Sequence, residues 1–128
     1  MPKDVMKRIR NEFASFNSMP IDYGAIIIAR PDKDYMTAVR TLMTGPEDTP
    51  YDCGIFLFDT YINTEFPNKN PNVWFLNTGG VRFNPNLYEG GKVCLSILGT
   101  WSGDKGGESW HKDNSHLIQI YTSILAQI

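Results

Sequence analysis

The chain has 128 residues, 41% of them hydrophobic and 20% charged, which fits one globular domain and leaves no room for two. Twelve basic and fourteen acidic residues give a net charge of −2. This balance argues against unspecific nucleic-acid binding, which depends on many Lys and Arg side chains neutralising phosphates. No apolar run approaches the ~18 residues that a membrane-spanning helix needs. We therefore expect a soluble domain with neither nucleic acid nor membrane as a partner.

The two cysteines, Cys53 and Cys94, are too few to stabilise a small secreted domain through disulfides. The first thirteen residues are charged and amphipathic, and they lack the apolar stretch and small-residue cleavage site of a secretory signal. These features predict reduced thiols and a location in the cytoplasm, the nucleus or both.

The first half of the chain predicts one helix followed by strands. Apolar residues recur at every fourth position, at Val5, Ile9 and Phe13, as on the buried face of an amphipathic helix. Runs of β-branched and aromatic residues then predict four strands. These strands cover residues 26–28, 35–43, 55–61 and 72–76.

The second half begins with a long irregular segment, 78–107, rich in Gly, Asn and Pro, which suggests a functional region. A helix is then predicted to start near Asn114 and Ser115, both of which are suitable N-cap residues, and to continue to Ile128. This order predicts an α+β fold with a four-stranded antiparallel meander, because βαβ alternation is missing.

One segment of the irregular region draws attention to Cys94. Residues 93–98 alternate apolar and small polar side chains, so an extended backbone would place Cys94 opposite the core-facing residues and expose it. However, free cysteine is one of the most buried residue types and is usually inert, so a buried Cys94 remains an equal alternative. Cys53 carries no comparable argument and is interpreted as structural.

Other kinds of site find little support in the sequence. Cys53, Cys94, His111 and His116 lack the paired spacing of zinc ligands, and no glycine motif for nucleotide phosphates is present, so neither metal nor cofactor is predicted. A cysteine hydrolase would use Cys94 as nucleophile, His111 or His116 as base and Asn86 in support. The chain contains these residue types, but nothing in the sequence brings them together.

Several motifs, in order along the chain, resemble those of one enzyme family. Asn84-Pro85-Asn86 is followed, eight residues after Asn86, by Cys94 within the run 91–98. This spacing resembles the active-site signature of ubiquitin-conjugating enzymes. A basic helix, a Gly-Pro…Pro-Tyr loop and a strand with its proline turn also resemble parts of that family, at 7–10, 43–51 and 54–71.

The resemblance is greatest to a subgroup, the conjugating domains of large hybrid conjugating-enzyme/ligase proteins. Segments 82–88 and 98–103 carry it, together with Trp110. In that subgroup Asn replaces the family's usual His before Pro-Asn, as Asn84 does here. The stretch 101–110 is an insertion relative to minimal members, in which Trp101 and Trp110 either cover the active-site cleft or anchor the insertion.

The resemblance implies that Cys94 accepts ubiquitin, or a ubiquitin-like modifier, as a thioester from a ubiquitin-activating enzyme. A substrate lysine or a ligase then receives the modifier. Asn86 matches the residue that stabilises the negative charge on the thioester oxygen, although ordering its own loop is an alternative role. Asn84 and Pro85 are expected to support the active-site loop.

The resemblance also bears on protein partners. Four residues of the first helix match the surface that docks the activating enzyme, although such a cluster alone would suggest only a solvated helix face. They are Lys3, Lys7, Arg8 and Arg10. The ligase-binding loops depart from the family, with Asn68 and the run 111–114 where many members have apolar anchors. We therefore expect a ligase module of the same protein rather than an ordinary RING ligase.

The last helix raises the question of the domain's extent. Ile118 and Leu125 lie off its main apolar stripe, so an apolar patch is expected unless something covers it. The 128 residues are therefore interpreted as a single conjugating domain that lacks the family's last helices, being either part of a longer protein or covered by a partner.

One alternative uses the same fold in a different class of protein. The chain would then be a non-catalytic ubiquitin-binding module, although retention of Cys94 argues against it.

Overall fold

The computed structural model describes residues 1–18, 24–80, 85–99 and 109–127. They form a helix, a four-stranded sheet and a second helix, in that order. The elements are α1 (Lys3–Ser15, followed by a 3-10 turn at Phe16–Ser18), β1 (Ile27–Pro31), β2 (Ala38–Thr44), β3 (Ile55–Tyr61), β4 (Asn72–Phe75), a 3-10 turn (Ser96–Leu98) and α2 (Leu117–Gln127). The predicted α+β fold is confirmed.

The sheet is an antiparallel meander in which each strand pairs with the next along the chain, β1-β2-β3-β4. Alternate residues point to opposite faces, so Val39, Thr41 and Met43 of β2 are buried on one face, with Arg40 exposed on the other. α2 packs on the buried face, where the hydroxyl of Tyr121 lies 2.8 Å from that of Thr60 in β3. Burial raises the pKa of Tyr121, which keeps this hydroxyl protonated.

The second strand begins three residues later than its composition predicts. The carboxylate of Asp32 accepts the amide protons of Asp34 (2.8 Å) and Tyr35 (3.0 Å). The N–H of Ala38 donates to the carbonyl of Tyr35 (3.1 Å), which closes a second turn. These local bonds compete with the sheet ladder, so β2 starts at Ala38.

The second helix also starts later than predicted, and a different residue caps it. The hydroxyl of Ser115 accepts the amide proton of His111 (2.9 Å), so Ser115 closes the preceding turn. The first amide of α2, that of Leu117, donates to Oε2 of Glu12 in α1 (3.3 Å). A carboxylate that is distant in sequence therefore takes the place of the expected local cap.

The apolar patch expected on α2 is not found among its described side chains. Leu125 is 2% exposed and belongs to the core, and Ile118 is half-buried against that core. The helix is therefore covered on more than one side by the described chain itself. Neither α1 nor α2, the helices of the described ranges, is long and apolar enough to cross a membrane.

Glu12 is the centre of a polar clasp between the two helices, which we call the α1–α2 clasp. Its side chain is 1% exposed, and Oε1 accepts the Nε proton of Arg8 (3.1 Å) and lies 3.1 Å from Nδ1 of His116. Since a carboxylate can only accept, Nδ1 of His116 carries the proton. Arg8 also donates to the carbonyls of Lys112 and Ser115. The buried carboxylate and the largely buried guanidinium thus each have a partner.

Replacing Glu12 with Ala is expected to destabilise the fold by about 3 kcal/mol, because loss of one partner leaves the other buried charge uncompensated. Urea unfolding measures this loss. Glu65→Ala is the matched control, since Glu65 forms an exposed ion pair with Lys69 and should contribute less than about 1 kcal/mol. Equal losses in the two variants would contradict the role given to the clasp.

Candidate active site

Residues 86–94 form a short hairpin that ends at Cys94. Leu87 and Val93 pair as an antiparallel bridge, and the amide of Tyr88 donates to the carbonyl of Lys92 (3.0 Å). At the open end, the N–H of Cys94 donates to the carbonyl of Asn86 (2.8 Å). We call this segment the active-site hairpin; its backbone pairing fixes the two candidate residues, Asn86 and Cys94, opposite each other.

The active-site hairpin lies along β4, the last strand of the sheet. The amide of Phe75 donates to the carbonyl of Gly91 (2.8 Å), and Trp74 pairs with Lys92 as an isolated bridge. Gly91 has φ 96°, and a Cβ there would lie 2.6 Å from the carbonyl oxygen of Phe75. Only glycine fits this close approach, so the position of the hairpin depends on that residue.

The side chain of Asn86 reinforces the same junction. Its Nδ2 donates to the carbonyl of Cys94 at 2.8 Å, so Asn86 binds Cys94 through both its backbone and its amide. This contact favours a loop-ordering role. A side-chain amide has two N–H donors, so the bond does not exclude a second role at the thioester oxygen.

Cys94 is buried, with 2% of its surface exposed, so of the two alternatives for its thiol the structure shows the buried one. The exposed alternative assumed an extended backbone through residues 93–98. In the structure a 3-10 turn at Ser96–Leu98 interrupts the alternation, and Val93, Cys94 and Leu95 are all buried. Alternation therefore does not determine the side on which the thiol lies.

Cys53 is the exposed cysteine. It has a left-handed backbone, φ 65°, and its Sγ lies 3.6 Å from Oδ1 of Asp52. The exposed position does not bear out the interpretation of Cys53 as a structural cysteine. It makes Cys53 the thiol that must be removed before the reactivity of Cys94 is measured.

Of the other residues predicted near the active site, Pro85 and Trp110 lie in the described part of the chain. Pro85 is exposed at the start of the hairpin. Asn84 and Trp101 lie outside the described residues. The ring N–H of Trp110 donates to the carbonyl of Pro67 (2.7 Å), and its ring lies 5.9 Å from that of Phe66. This packing favours the anchoring role for Trp110.

The two histidines do not form a catalytic pair with Cys94 in the described structure. His116 binds Glu12 in the α1–α2 clasp, and the backbone amide of His111 bonds Ser115. Neither hydrogen-bonds Cys94 within the described residues, which gives the hydrolase hypothesis no support. Over the same ranges, no group of three or more His, Cys, Asp or Glu residues could hold a metal ion.

The basic residues of α1 fall into two sets. Lys3, Lys7 and Arg10 are exposed. The side chain of Arg8 is only 18% exposed because it belongs to the α1–α2 clasp, and its guanidinium carbon also lies 5.7 Å from the ring centre of Phe66. The clasp was not predicted, although the i, i+4 spacing of Arg8 and Glu12 is a readable signal of an ion pair.

Two solved structures have the same fold as this chain. The human ubiquitin-conjugating enzyme E2 G1 superposes with a TM-score of 0.78 at 24% identity, covering 98% of this chain and 94% of that one. A Plasmodium vivax ubiquitin-conjugating enzyme gives 0.72 at 21% identity, covering 93% and 96%. At these identities the likeness establishes the fold alone.

Sequence comparison establishes the family. The model of the family described as ubiquitin-conjugating enzyme matches residues 8–127, so the chain belongs to that family. It is 46% identical over 125 residues to the probable ubiquitin-conjugating enzyme E2 R521 of Acanthamoeba polyphaga mimivirus. It is 40% identical over 125 residues to the human dual E2 ubiquitin-conjugating enzyme/E3 ubiquitin-protein ligase BIRC6. Each match covers 95% of this chain but only 9% and 3% of the respective relatives. The resemblance to the hybrid subgroup is confirmed.

Gly91→Ala is expected to destabilise the fold by about 1–3 kcal/mol, since the residue has a positive φ and meets the carbonyl of Phe75. Denaturant unfolding checks this. The adjacent Gly90→Ala is the control, because a Cβ there meets no atom within 4 Å. It should change stability by less than about 0.5 kcal/mol. Equal tolerance of both changes would show that the hairpin is not held against β4 as described.

Proposed function

We propose that this domain carries ubiquitin, or a ubiquitin-like modifier, on Cys94 and transfers it to a lysine or to a ligase. The observation that carries the proposal is the active-site hairpin, in which Cys94 is fixed by two hydrogen bonds to Asn86. Membership of the ubiquitin-conjugating enzyme family supports the same reaction.

Two acyl transfers make up the proposed reaction. In the first, the Cys94 thiolate attacks the thioester between the modifier's C-terminus and the activating enzyme; a new S–C bond forms and the activating enzyme's thiolate leaves. In the second, a neutral lysine amine attacks the Cys94 thioester, an amide bond forms, the Cys94 thiolate leaves and the amine loses a proton. A ligase cysteine acts in the same way and yields a new thioester.

The first role proposed for Asn86 is to position the thiol of Cys94. The amide that donates to the carbonyl of Cys94 holds the backbone from which the Sγ atom projects. Negative charge develops on the thioester oxygen in each transfer, and an amide donor next to Cys94 is suited to stabilise it. We therefore assign both positioning and oxyanion stabilisation to Asn86, with Pro85 and Asn84 as support of the loop.

The exposed cations of α1 are the proposed docking site for the activating enzyme. Lys3, Lys7 and Arg10 are accessible to an acidic surface. Arg8 is left out, because its guanidinium binds Glu12 and two carbonyls within the domain. The proposed second partner is a ligase module of the same protein, in the cytoplasm or nucleus. The chain spans less than a fifth of the relatives that it matches at 40–46% identity.

One observation favours a second candidate function. Cys94 is 2% exposed, and a thiol must become accessible before it can accept a modifier. A non-catalytic ubiquitin-binding module would have no need for this accessibility. Direct measurement of thioester formation separates the two functions.

Incubation with activating enzyme, ATP and ubiquitin is expected to give a thiol-sensitive adduct on the wild type and on Cys53→Ser. Cys94→Ser should give a thiol-resistant adduct or none, because the oxygen ester is stable to thiols. Non-reducing and reducing gels distinguish these results. If no folded variant forms an adduct, the loading proposal fails for ubiquitin, and titration with ubiquitin followed by NMR then tests the binding module.

Asn86→Ala is expected to slow discharge of the loaded domain to free lysine by roughly a hundredfold, the usual cost of losing an oxyanion donor. Single-turnover discharge measures the rate. Asn63→Ala is the control, because its amide also orders a loop, by donating to the carbonyl of Asn70. If both variants discharge at the wild-type rate, Asn86 has neither of its assigned roles.

A further inference from the structure

Asn77 fixes the chain where it leaves β4. Its side-chain Oδ1 accepts the amide proton of Leu57 (2.8 Å), and its Nδ2 donates to the carbonyl of Ile55 (2.8 Å). The amide of Leu76 donates to the carbonyl of Leu57 (2.8 Å). The side chain of Asn77 therefore continues the ladder to β3 as backbone would, and it holds the next residue, Thr78, in a defined place.

Thr78 connects this fixed point to the tip of the active-site hairpin. Its hydroxyl donates to the carbonyl of Glu89 (2.7 Å) and accepts the amide proton of Gly80 (3.1 Å). Glu89 lies inside the turn closed by the bond from the amide of Gly91 to the carbonyl of Tyr88 (3.0 Å). The hydroxyl proton of Thr78 points to the carbonyl of Glu89, because the hydroxyl oxygen accepts the amide proton of Gly80.

Near its tip the hairpin is attached to the preceding chain, because Thr78 binds the carbonyl of Glu89 and Phe75 binds that of Gly91. Its open end is closed internally, by the bonds between Asn86 and Cys94. Without the bond from Thr78, the tip keeps its bonds to β4, from Phe75 to Gly91 and between Trp74 and Lys92, and a shift of the tip passes to Cys94 along the paired backbone of the hairpin. Because Cys94 is 2% exposed, such a movement changes the accessibility of the thiol.

We infer that Thr78 is a positioning residue for Cys94, and that its hydroxyl sets the thiol's accessibility and the geometry of acyl transfer through the active-site hairpin. For the transfer reaction, this inference rests on the proposed function. The accessibility of the thiol is a property of the protein alone, so the inference is tested with and without a modifier.

The test compares three variants in a Cys53→Ser background, which leaves Cys94 as the only thiol of the chain. Thr78→Val removes the hydroxyl and keeps the shape of the side chain. Thr78→Ser keeps the hydroxyl. Thr122→Val is the matched control, since the hydroxyl of Thr122 also donates to backbone carbonyls, those of Ile118 and Gln119 within α2.

The first readout is the rate of Cys94 alkylation by iodoacetamide under native conditions. The second is single-turnover discharge to lysine at increasing lysine concentrations. Thr78→Val is expected to raise the alkylation rate several-fold and to lower the maximal discharge rate about tenfold, with little change in the half-saturating lysine concentration. A misplacement of ~1 Å at a reacting group can cost a hundredfold in rate. Thr78→Ser should restore both rates, and Thr122→Val should change neither.

A general loss of stability gives a different pattern. Thermal unfolding of each variant identifies it, because alkylation would then follow the unfolded fraction in Thr78→Val and Thr122→Val alike. That result, or wild-type alkylation and discharge in Thr78→Val, overturns the inference. If the wild type forms no thioester, the proposed function fails, and the alkylation rates alone decide the role of Thr78.

Discussion

The buried carboxylate of Glu12 determines how the two ends of the described chain meet. A charge with 1% exposure is tolerated only where donors surround it, and here the donors are Arg8, His116 and the first amide of α2. Because a helix begins with unpaired N–H groups and a positive dipole end, the carboxylate also caps α2. The placement of α2 in turn brings Tyr121 onto Thr60 of β3. The helix junction and the inner face of the sheet are therefore linked through one ionised side chain.

The candidate active site depends on backbone geometry at the β4 edge of the sheet. β4 offers its free side to the active-site hairpin, and the bond from Phe75 to Gly91 forms because residue 91 has no Cβ. Side-chain amides form further bonds to the backbone: Asn77 binds β3, and Asn86 binds the carbonyl of Cys94. These bonds extend the hydrogen-bonded structure of the sheet into an irregular segment.

Periodicity predicted the helices and strands, because burial on one face leaves a repeating pattern. It failed at element ends, where side chains such as Asp32 and Ser115 bind nearby backbone and a distant Glu12 supplies the cap. Motif spacing predicted Cys94 and Asn86 as site residues but left the burial of the thiol open, since an alternating pattern does not reveal that Val93, Cys94 and Leu95 are all buried. The bond from Thr78 to Glu89 was not predicted, because no local sequence pattern reveals a contact between two loops.

Helix spacing divides the basic residues of α1 into those that face outward and one that packs within the domain. Positions 3, 7 and 10 follow an i, i+4, i+7 pattern and share one face, whereas positions 8 and 12 share another. In the structure Lys3, Lys7 and Arg10 are exposed, whereas the side chain of Arg8 points towards Glu12 in the α1–α2 clasp. A long cation whose guanidinium donates to a carboxylate and to backbone carbonyls is committed to the fold, and its removal would first cost stability. The docking surface proposed for an acidic partner is therefore limited to the three outward cations of this helix.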